Sequence, residues 1–215
     1  MAVPVPTPIL RFIHVDNLPT YLQRGGMHAP NFTPNDGLPW KVIHDEEVQA
    51  KRARRRVRCG PGGVLHDYVS FYFGYLSPMM LRLHTGRVEG YTENQEPLIY
   101  LVSAAQTVQQ SATPFIFTNG HGIAAITDDF DDLSDLARVD WGMVYQKYWA
   151  DKPLGDNDRQ RRKQAEFLVH RFCPWPLVRK IAVIDEARKR QVEVVLARFP
   201  NSHQPVVTVR RDWYY

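Results

Sequence analysis

Glu166 is the side chain whose surroundings ask most plainly for chemistry. It follows a polar stretch, Asp151 to Arg162, and sits in a run, Ala165 to Val169, that alternates as a strand does. Glu166, Leu168 and His170 fall on one face, and Ala165, Phe167 and Val169 on the other. A lone carboxylate on an otherwise apolar strand is costly unless it meets water or a partner. Gln164 lies two residues earlier on the same face. A carboxylate fixed in this way can steady positive charge that develops on a sugar ring as a leaving group departs, and the side chain two positions before it can read the acceptor. An edge-strand glutamate paired with an arginine fits the same spacing.

A second concentration is basic. Lys51, Arg52, Arg54, Arg55, Arg56 and Arg58 crowd into eight positions of a chain whose formal charge is only +4. Such a cluster suits a polyanion, either nucleic acid or a phosphate-bearing small molecule, and also suits a solvated helix face. Tyr72 and Tyr75 follow in an aromatic stretch that can stack bases. Gly120-His121-Gly122-Ile123-Ala124-Ala125 has the spacing of a dinucleotide-binding turn, but acidic Thr127 to Asp135 stands where a crossover helix should continue. A glycine turn that exposes His121 is the better reading. Cys59, His66 and Asp67 resemble a nucleophile and base only loosely, since Cys59 lies in a glycine-proline turn among arginines. His66 is expected to bond backbone near that turn. The acids Asp128, Asp129, Asp131, Asp132 and Asp135 could hold a hard cation, but a helix start with a solvated flank explains them more simply. No P-loop and no G-x-S-x-G elbow occurs.

These residues need a scaffold. The chain has 215 residues, 44% hydrophobic and 23% charged, which is enough for one well-buried domain over 1–215. Two cysteines are too few for a disulfide framework or a four-cysteine zinc site. No apolar stretch reaches the ~18 residues of a membrane span, and Met1-Ala2-Val3-Pro4-Val5-Pro6 does not read as a secretion signal, so a cytoplasmic protein is expected. Strands are expected at Ile9–Val15, Tyr68–Tyr75, Leu98–Val102, Phe115–Thr118, Ala165–Val169, Ile181–Ile184 and Val206–Val209. Helices are expected from Asp16 to Leu22, ended by Gly25-Gly26, from Glu46 to Arg56, around Leu133 to Trp149, and from Glu186 to Phe199. Residues 29 to 40 form a long loop rich in proline and asparagine. The sum is a mixed α+β fold built on a split sheet with helices outside.

Over essentially its full length the chain resembles the DarT family of DNA ADP-ribosyltransferase toxins. The resemblance is carried in order by Arg11-Phe12-Ile13-His14-Val15-Asp16-Asn17-Leu18, Val48-Gln49-Ala50-Lys51-Arg52, Gly62 through Phe73, Ser77-Pro78-Met79, Phe117-Thr118 through His121-Gly122, Tyr148-Trp149-Ala150-Asp151, Gln164 through Val169 and Asp212-Trp213-Tyr214-Tyr215. It implies an ADP-ribosyltransferase core with a split mixed β-sheet. It implies NAD as donor, no metal, and single-stranded DNA as acceptor, with thymine modified at its ring nitrogen in a short sequence context and nicotinamide released. A guanine-modifying relative and a non-catalytic single-strand binder are the alternatives.

By resemblance, Glu166 and Arg52 are the catalytic pair, and Arg11, Phe12, Ile13, Thr20, His28 and Arg52 contact NAD. Residues from about Thr33 to Arg54 cover the cofactor, and those from about His121 to Glu166 shape the acceptor site. His121, Tyr72, Tyr75, Arg54 and Arg55 are the DNA-side candidates, with His121 contacting the acceptor, orienting Glu166 or simply ending a turn. Close relatives often carry Tyr-His or Tyr-Arg then Ile-Thr where this chain has Leu10-Arg11-Phe12-Ile13, so a hydroxyl contact at Ile13 is lost while backbone contacts remain. The family description makes the arginine a proton acceptor. A guanidinium is too basic for that, so Arg52 is expected to stabilise an anionic thymine imide, the proton leaving to water or Glu166. The family also implies a toxin role and a macrodomain antitoxin partner of the DarG type that strips ADP-ribose from DNA.

Overall fold

A computed structural model describes residues 1–215. Ten strands form: β1 (Pro8–His14), β2 (Gly26–His28), β3 (Tyr68–Tyr72), β4 (Leu98–Ala104), β5 (Phe115–Thr118), β6 (Asp129–Phe130), β7 (Glu166–His170), β8 (Phe172–Pro174), β9 (Lys180–Val183) and β10 (Val206–Val209). The helices are α1 (Leu18–Gln23), α2 (Glu46–Arg52), α3 (Pro78–His84), α4 (Ala105–Gln110), α5 (Trp141–Val144), α6 (Arg159–Lys163) and α7 (Glu186–Ala197), with short 3-10 turns between them. None is long and apolar enough to cross a membrane.

Eight strands make one sheet in the order β10-β9-β4-β1-β3-β7-β5-β6, and β2 pairs with β8 apart from it. Only β9 and β10 run parallel, because α7 supplies the crossover that a parallel pair needs. Period-2 alternation sends Ile9 and Ile13 of β1 to the larger core and Leu10 and Phe12 to a second core on the opposite face. The larger core takes α1, α4, α5 and α7, whereas α3 and the C-terminal Trp213 and Tyr214 cover the other side.

The sheet is continuous but nearly parts in the middle. β1 is zipped to β4 from Pro8↔Ala104 to His14↔Leu98. On its other side it meets β3 only at Leu10↔Tyr72. Beyond that pair the strands diverge, and the Arg11 guanidinium reaches across to the freed Ser70 carbonyl, Nη1 donating at 2.9 Å. The split expected from sequence is this parting within a single sheet.

Several elements differ from expectation. α2 stops at Arg52 and not at Arg56, because the chain then doubles back: Arg56 bridges Val64, Val57 N–H donates to Gly63 O and Leu65 N–H to Arg55 O. The helical region after Leu133 is a 3-10 turn and the one-turn α5, and β7 begins at Glu166 because Gln164 still caps α6. α3 was missed although Ser77 caps it and Pro78 opens it. α4 was missed because it follows β4 with no break.

Candidate active site

Where β1 and β3 part, a cleft of about 700 Å³ opens, within the ~300–1,000 Å³ usual for ligand sites. Its floor is Arg11, Phe12 and Ile13 on one side of the parting and Ser70, Tyr72 and Glu166 on the other.

Glu166 lies in the interior of the sheet, on a strand flanked by β3 and β5, and not on an edge strand. It is opposite Tyr72 in the ladder and only 2% exposed. The partner that its burial demands is Arg52, itself 7% exposed. Arg52 Nη1 donates to Glu166 Oε2 at 2.8 Å and Oε1 at 3.1 Å, while Nη2 donates to Ser70 Oγ at 2.6 Å. The ion-pair reading and the carboxylate reading of Glu166 therefore describe one constellation. Arg52 arrives there because the hairpin after α2 packs Val57 and Leu65 onto Leu168 and Ile116, the apolar neighbours on the face that carries Glu166. Arg55, gripped by both Asp129 oxygens at 2.7 Å, fastens that hairpin to the acidic run.

A third group completes the carboxylate's shell. The Gly122 N–H donates to Oε1 at 3.0 Å. The turn that aims it is tightly held: His121 N–H donates to Arg161 O at 2.9 Å, Thr127 Oγ1 to His121 O at 2.9 Å, and Thr118 Oγ1 to Gly120 O at 2.7 Å. Thr118 Oγ1 also accepts the Glu166 N–H at 3.1 Å, so strand, turn and carboxylate move as a unit. His121 lines the cleft half-buried. Burial lowers its pKa below the ordinary histidine value against the pull of Glu166, with Arg52 and Lys51 adding to the lowering.

The long loop arches over the cleft as a cover. Asn17 and Lys41 exchange two bonds, side-chain Nδ2 to Lys41 O at 2.8 Å and Lys41 N–H to Oδ1 at 2.7 Å. Arg24 holds Asp36 at 2.7 and 2.9 Å, which pulls the Asp36 pKa down to about 2. Trp40 stands edge-on to Tyr21 with ring centres 5.3 Å apart. Thr20 belongs to this fastening: it is buried and its Oγ1 donates to Pro39 O at 2.9 Å, so it stands behind the cover and not in the cleft lining. Arg11, Phe12, Ile13 and His28 do line the cleft. Ile13 sends its side chain into the larger core, which leaves its backbone as the part available to a ligand.

The DNA-side candidates divide. Tyr72 lines the cleft and stacks on Phe12 at 6.1 Å, while burial raises its phenol pKa. Tyr75 lies outside the lining and stacks on Trp213 at 5.3 Å. Arg54 is exposed, whereas Arg55 is committed to Asp129. The acids are used structurally: Asp129 also takes the Arg58 N–H, Asp131 takes the Gly60 N–H, and Asp132 caps the 3-10 turn at Ser134. Burial and these acids push the Cys59 thiol up to about 11, which removes it as a nucleophile near neutral pH. His66 bonds the Gln49 side chain on α2 at 3.1 Å rather than backbone near the turn. Ser70, Thr118 and Gly122 are site residues that sequence reasoning passed over, although Ser70 in Tyr-Val-Ser-Phe-Tyr carries the same signal as Glu166, a polar side chain in an apolar strand.

Comparison with known proteins bears directly on this arrangement. The family model described as ssDNA thymidine ADP-ribosyltransferase, DarT, matches residues 10–215. The DNA ADP-ribosyl transferase of Thermus sp. (strain 2.9) is 41% identical over 212 residues, 99% of this chain and 98% of that protein. The solved structure of Thermus sp. 2.9 DarT in complex with ADP-ribosylated ssDNA superposes with a TM-score of 0.94 at 40% identity, covering 100% of this chain and 99% of that one. Thermus sp. 2.9 DarT in complex with NAD+ gives 0.89 at 40% identity with full coverage of both chains. With the match running from β1 to the last residue, the chain belongs to the DarT family of NAD-dependent DNA ADP-ribosyltransferases.

Proposed function

We propose that this protein transfers ADP-ribose from NAD to a thymine ring nitrogen in single-stranded DNA, within a short sequence context, and releases nicotinamide. The observation that carries the reading is the buried Arg52–Glu166 pair at the floor of a covered cleft. NAD lies along β1 under the loop that Arg24, Asn17 and Thr20 fasten. The ribose–nicotinamide bond breaks with its electron pair leaving on nicotinamide, and Glu166 stabilises the cationic ribosyl carbon. In the resting geometry both Glu166 oxygens already accept donors, so the ribose displaces Arg52 from one of them. Arg52 then stabilises the imide anion of the acceptor base. The base reaches the site from a single strand or an extruded position, because its ring nitrogen is inaccessible in a duplex.

Such an enzyme blocks replication of the DNA it modifies, which fits the toxin of a toxin–antitoxin pair acting in the cytoplasm. A macrodomain protein that removes ADP-ribose from DNA is the matching neutraliser, as the family resemblance implies. The test is incubation with NAD and a thymine-containing oligonucleotide, read on a denaturing gel and by mass spectrometry of the nucleosides. Wild type yields a thymidine adduct, and Glu166→Ala and Glu166→Gln yield none while still binding NAD. Adducts on guanine alone, or unchanged activity of both variants, would overturn the assignment.

A further inference from the structure

Gly120-His121-Gly122 opens no helix, so its likeness to a dinucleotide-binding turn needs another cause. Neither glycine has a positive φ that would demand it. Space demands them. A Cβ at Gly120 would stand 2.2 Å from Nη1 and 3.0 Å from Cγ and Cζ of Arg161, so the arginine lies against the bare Cα. A Cβ at Gly122 would stand 3.2 Å from Glu166 Oε1. Each glycine thus makes room for a side chain, and both side chains come from one stretch, Arg161 on α6 and Glu166 at the start of β7. We propose that Arg161 is a positioning residue for the transfer: it holds the glycine turn where the Gly122 N–H meets Glu166, and so sets the carboxylate without bonding to it. The proposal rests on the reading of Glu166 as the group that stabilises the ribosyl carbon.

The Arg161 guanidinium is bonded along both of its edges. Nε and Nη2 donate to the two Asp158 oxygens, each at 2.7 Å, and this fork fixes the plane of the group. Nη1 is thereby aimed at the glycine turn, where it donates to Asn119 Oδ1 at 3.3 Å and Thr127 Oγ1 at 3.2 Å. Those two residues close the turn on itself: Asn119 exchanges bonds with Asp128, and Thr127 Oγ1 donates to His121 O at 2.9 Å. The Arg161 carbonyl also takes the His121 N–H at 2.9 Å. One residue therefore ties both ends of the turn, through its main chain and its side chain, and five positions later the same chain delivers Glu166. A solvated i, i+3 pair with Asp158 would be worth little and would need no glycine opposite it. The Arg161 side chain is instead 16% exposed, packed on Gly120, and linked through the turn to the bond from Gly122 N–H to Glu166.

The test compares Arg161→Gln, Gly120→Ala and the two combined, with Arg198→Gln, an exposed arginine at the end of α7, as the control that should match wild type. Turnover is measured at saturating NAD on the oligonucleotide that wild type modifies, NAD affinity by titration, folding by urea midpoint, and the His121 and Gly122 amides by hydrogen exchange. Arg161→Gln and Gly120→Ala should each lower turnover about ten- to hundredfold, the second because its methyl group displaces the guanidinium. NAD affinity should stay within about threefold of wild type while the two amides exchange faster. Glutamine vacates the space beside position 120, so adding Gly120→Ala to Arg161→Gln should cost less than about threefold more. Arg161→Gln turnover within about threefold of wild type, losses that multiply in the double variant, unchanged exchange of the two amides, or loss of NAD affinity would each overturn the proposal. If Arg161→Gln does not fold, Gly120→Ala carries the test by the same readings. If Glu166→Gln still transfers, the carboxylate reading falls and this inference with it. If Glu166 is required and Arg161→Gln turns over as wild type does, only the arginine is refuted.

Discussion

Gly122→Ala probes the carboxylate without changing the glutamate itself. A Cβ built at Gly122 would lie 3.0 Å from Leu65 Cδ1 and 3.2 Å from Glu166 Oε1. Leu65 is 1% exposed and packed in the cluster with Val57, Tyr68, Ile116 and Leu168, so the carboxylate or the turn is what gives, by a few tenths of an ångström. Either movement weakens the 3.0 Å bond from the Gly122 N–H to Oε1. A hydrogen bond to a charged group contributes about 1.5–3 kcal/mol. At about 1.4 kcal/mol per decade, that converts to a roughly ten- to hundredfold loss in turnover. KM for NAD should change little, because the covering loop and β1 are untouched. Gly155→Ala is the control, since its Cβ would meet nothing within 4 Å. The measurement is steady-state transfer to a thymine oligonucleotide at varied NAD. Turnover within about threefold of wild type, or an effect confined to KM, would refute the idea that this turn sets the carboxylate's position.

Arg52→Lys should cost at least tenfold in transfer rate, since one ammonium cannot span Glu166 and Ser70 as the guanidinium fork does; near-full modification by this variant would exclude the fork. Trp40→Ala removes the edge contact to Tyr21 and the Arg24 guanidinium 5.8 Å from the indole centre, so KM for NAD should rise severalfold with turnover nearly unchanged, as read by initial rates. Lys163 is 2% exposed, donates to Val144 O at 2.7 Å and Gln146 O at 2.8 Å, and is pulled down to about 7 by burial. The unfolded chain therefore holds this proton more tightly, so stability rises with pH from about 7 toward the ordinary lysine value, by up to about 1.4 kcal/mol per pH unit. Urea midpoints across that range should climb for wild type relative to Lys163→Met, and parallel profiles would show that the site does not titrate there.

Much of this site was readable in the chain, and for identifiable reasons. Glu166 announced itself because a carboxylate in a run of Phe, Leu and Val needs a partner, and the glycine turn around His121 was legible from its spacing. The pairing of Glu166 with Arg52 was not, because 114 residues separate them and only the docking of Val57 and Leu65 on Leu168 brings them together. Thr20 was carried into the cleft by resemblance, yet its hydroxyl faces Pro39. Arg55 looked free within a basic cluster, but its partner Asp129 lay in an acidic run that read as a separate feature. Short elements such as α3 and β8 were lost because a few residues carry too little periodicity, even where Ser77-Pro78 marked a start.

The single pair Leu10↔Tyr72 leaves the protein built as two leaves of one sheet joined at a seam. One leaf, β10-β9-β4-β1, carries Arg11 to Ile13; the other, β3-β7-β5-β6, carries Ser70 and Glu166. The two halves of the cleft lining thus lie on strands whose ladder meets at one rung, backed by one arginine and the Phe12–Tyr72 stack, while a single apolar core runs beneath both. Because the apolar cluster is continuous across the gap, the ladder can be interrupted to seat a ligand without the core being cut in two.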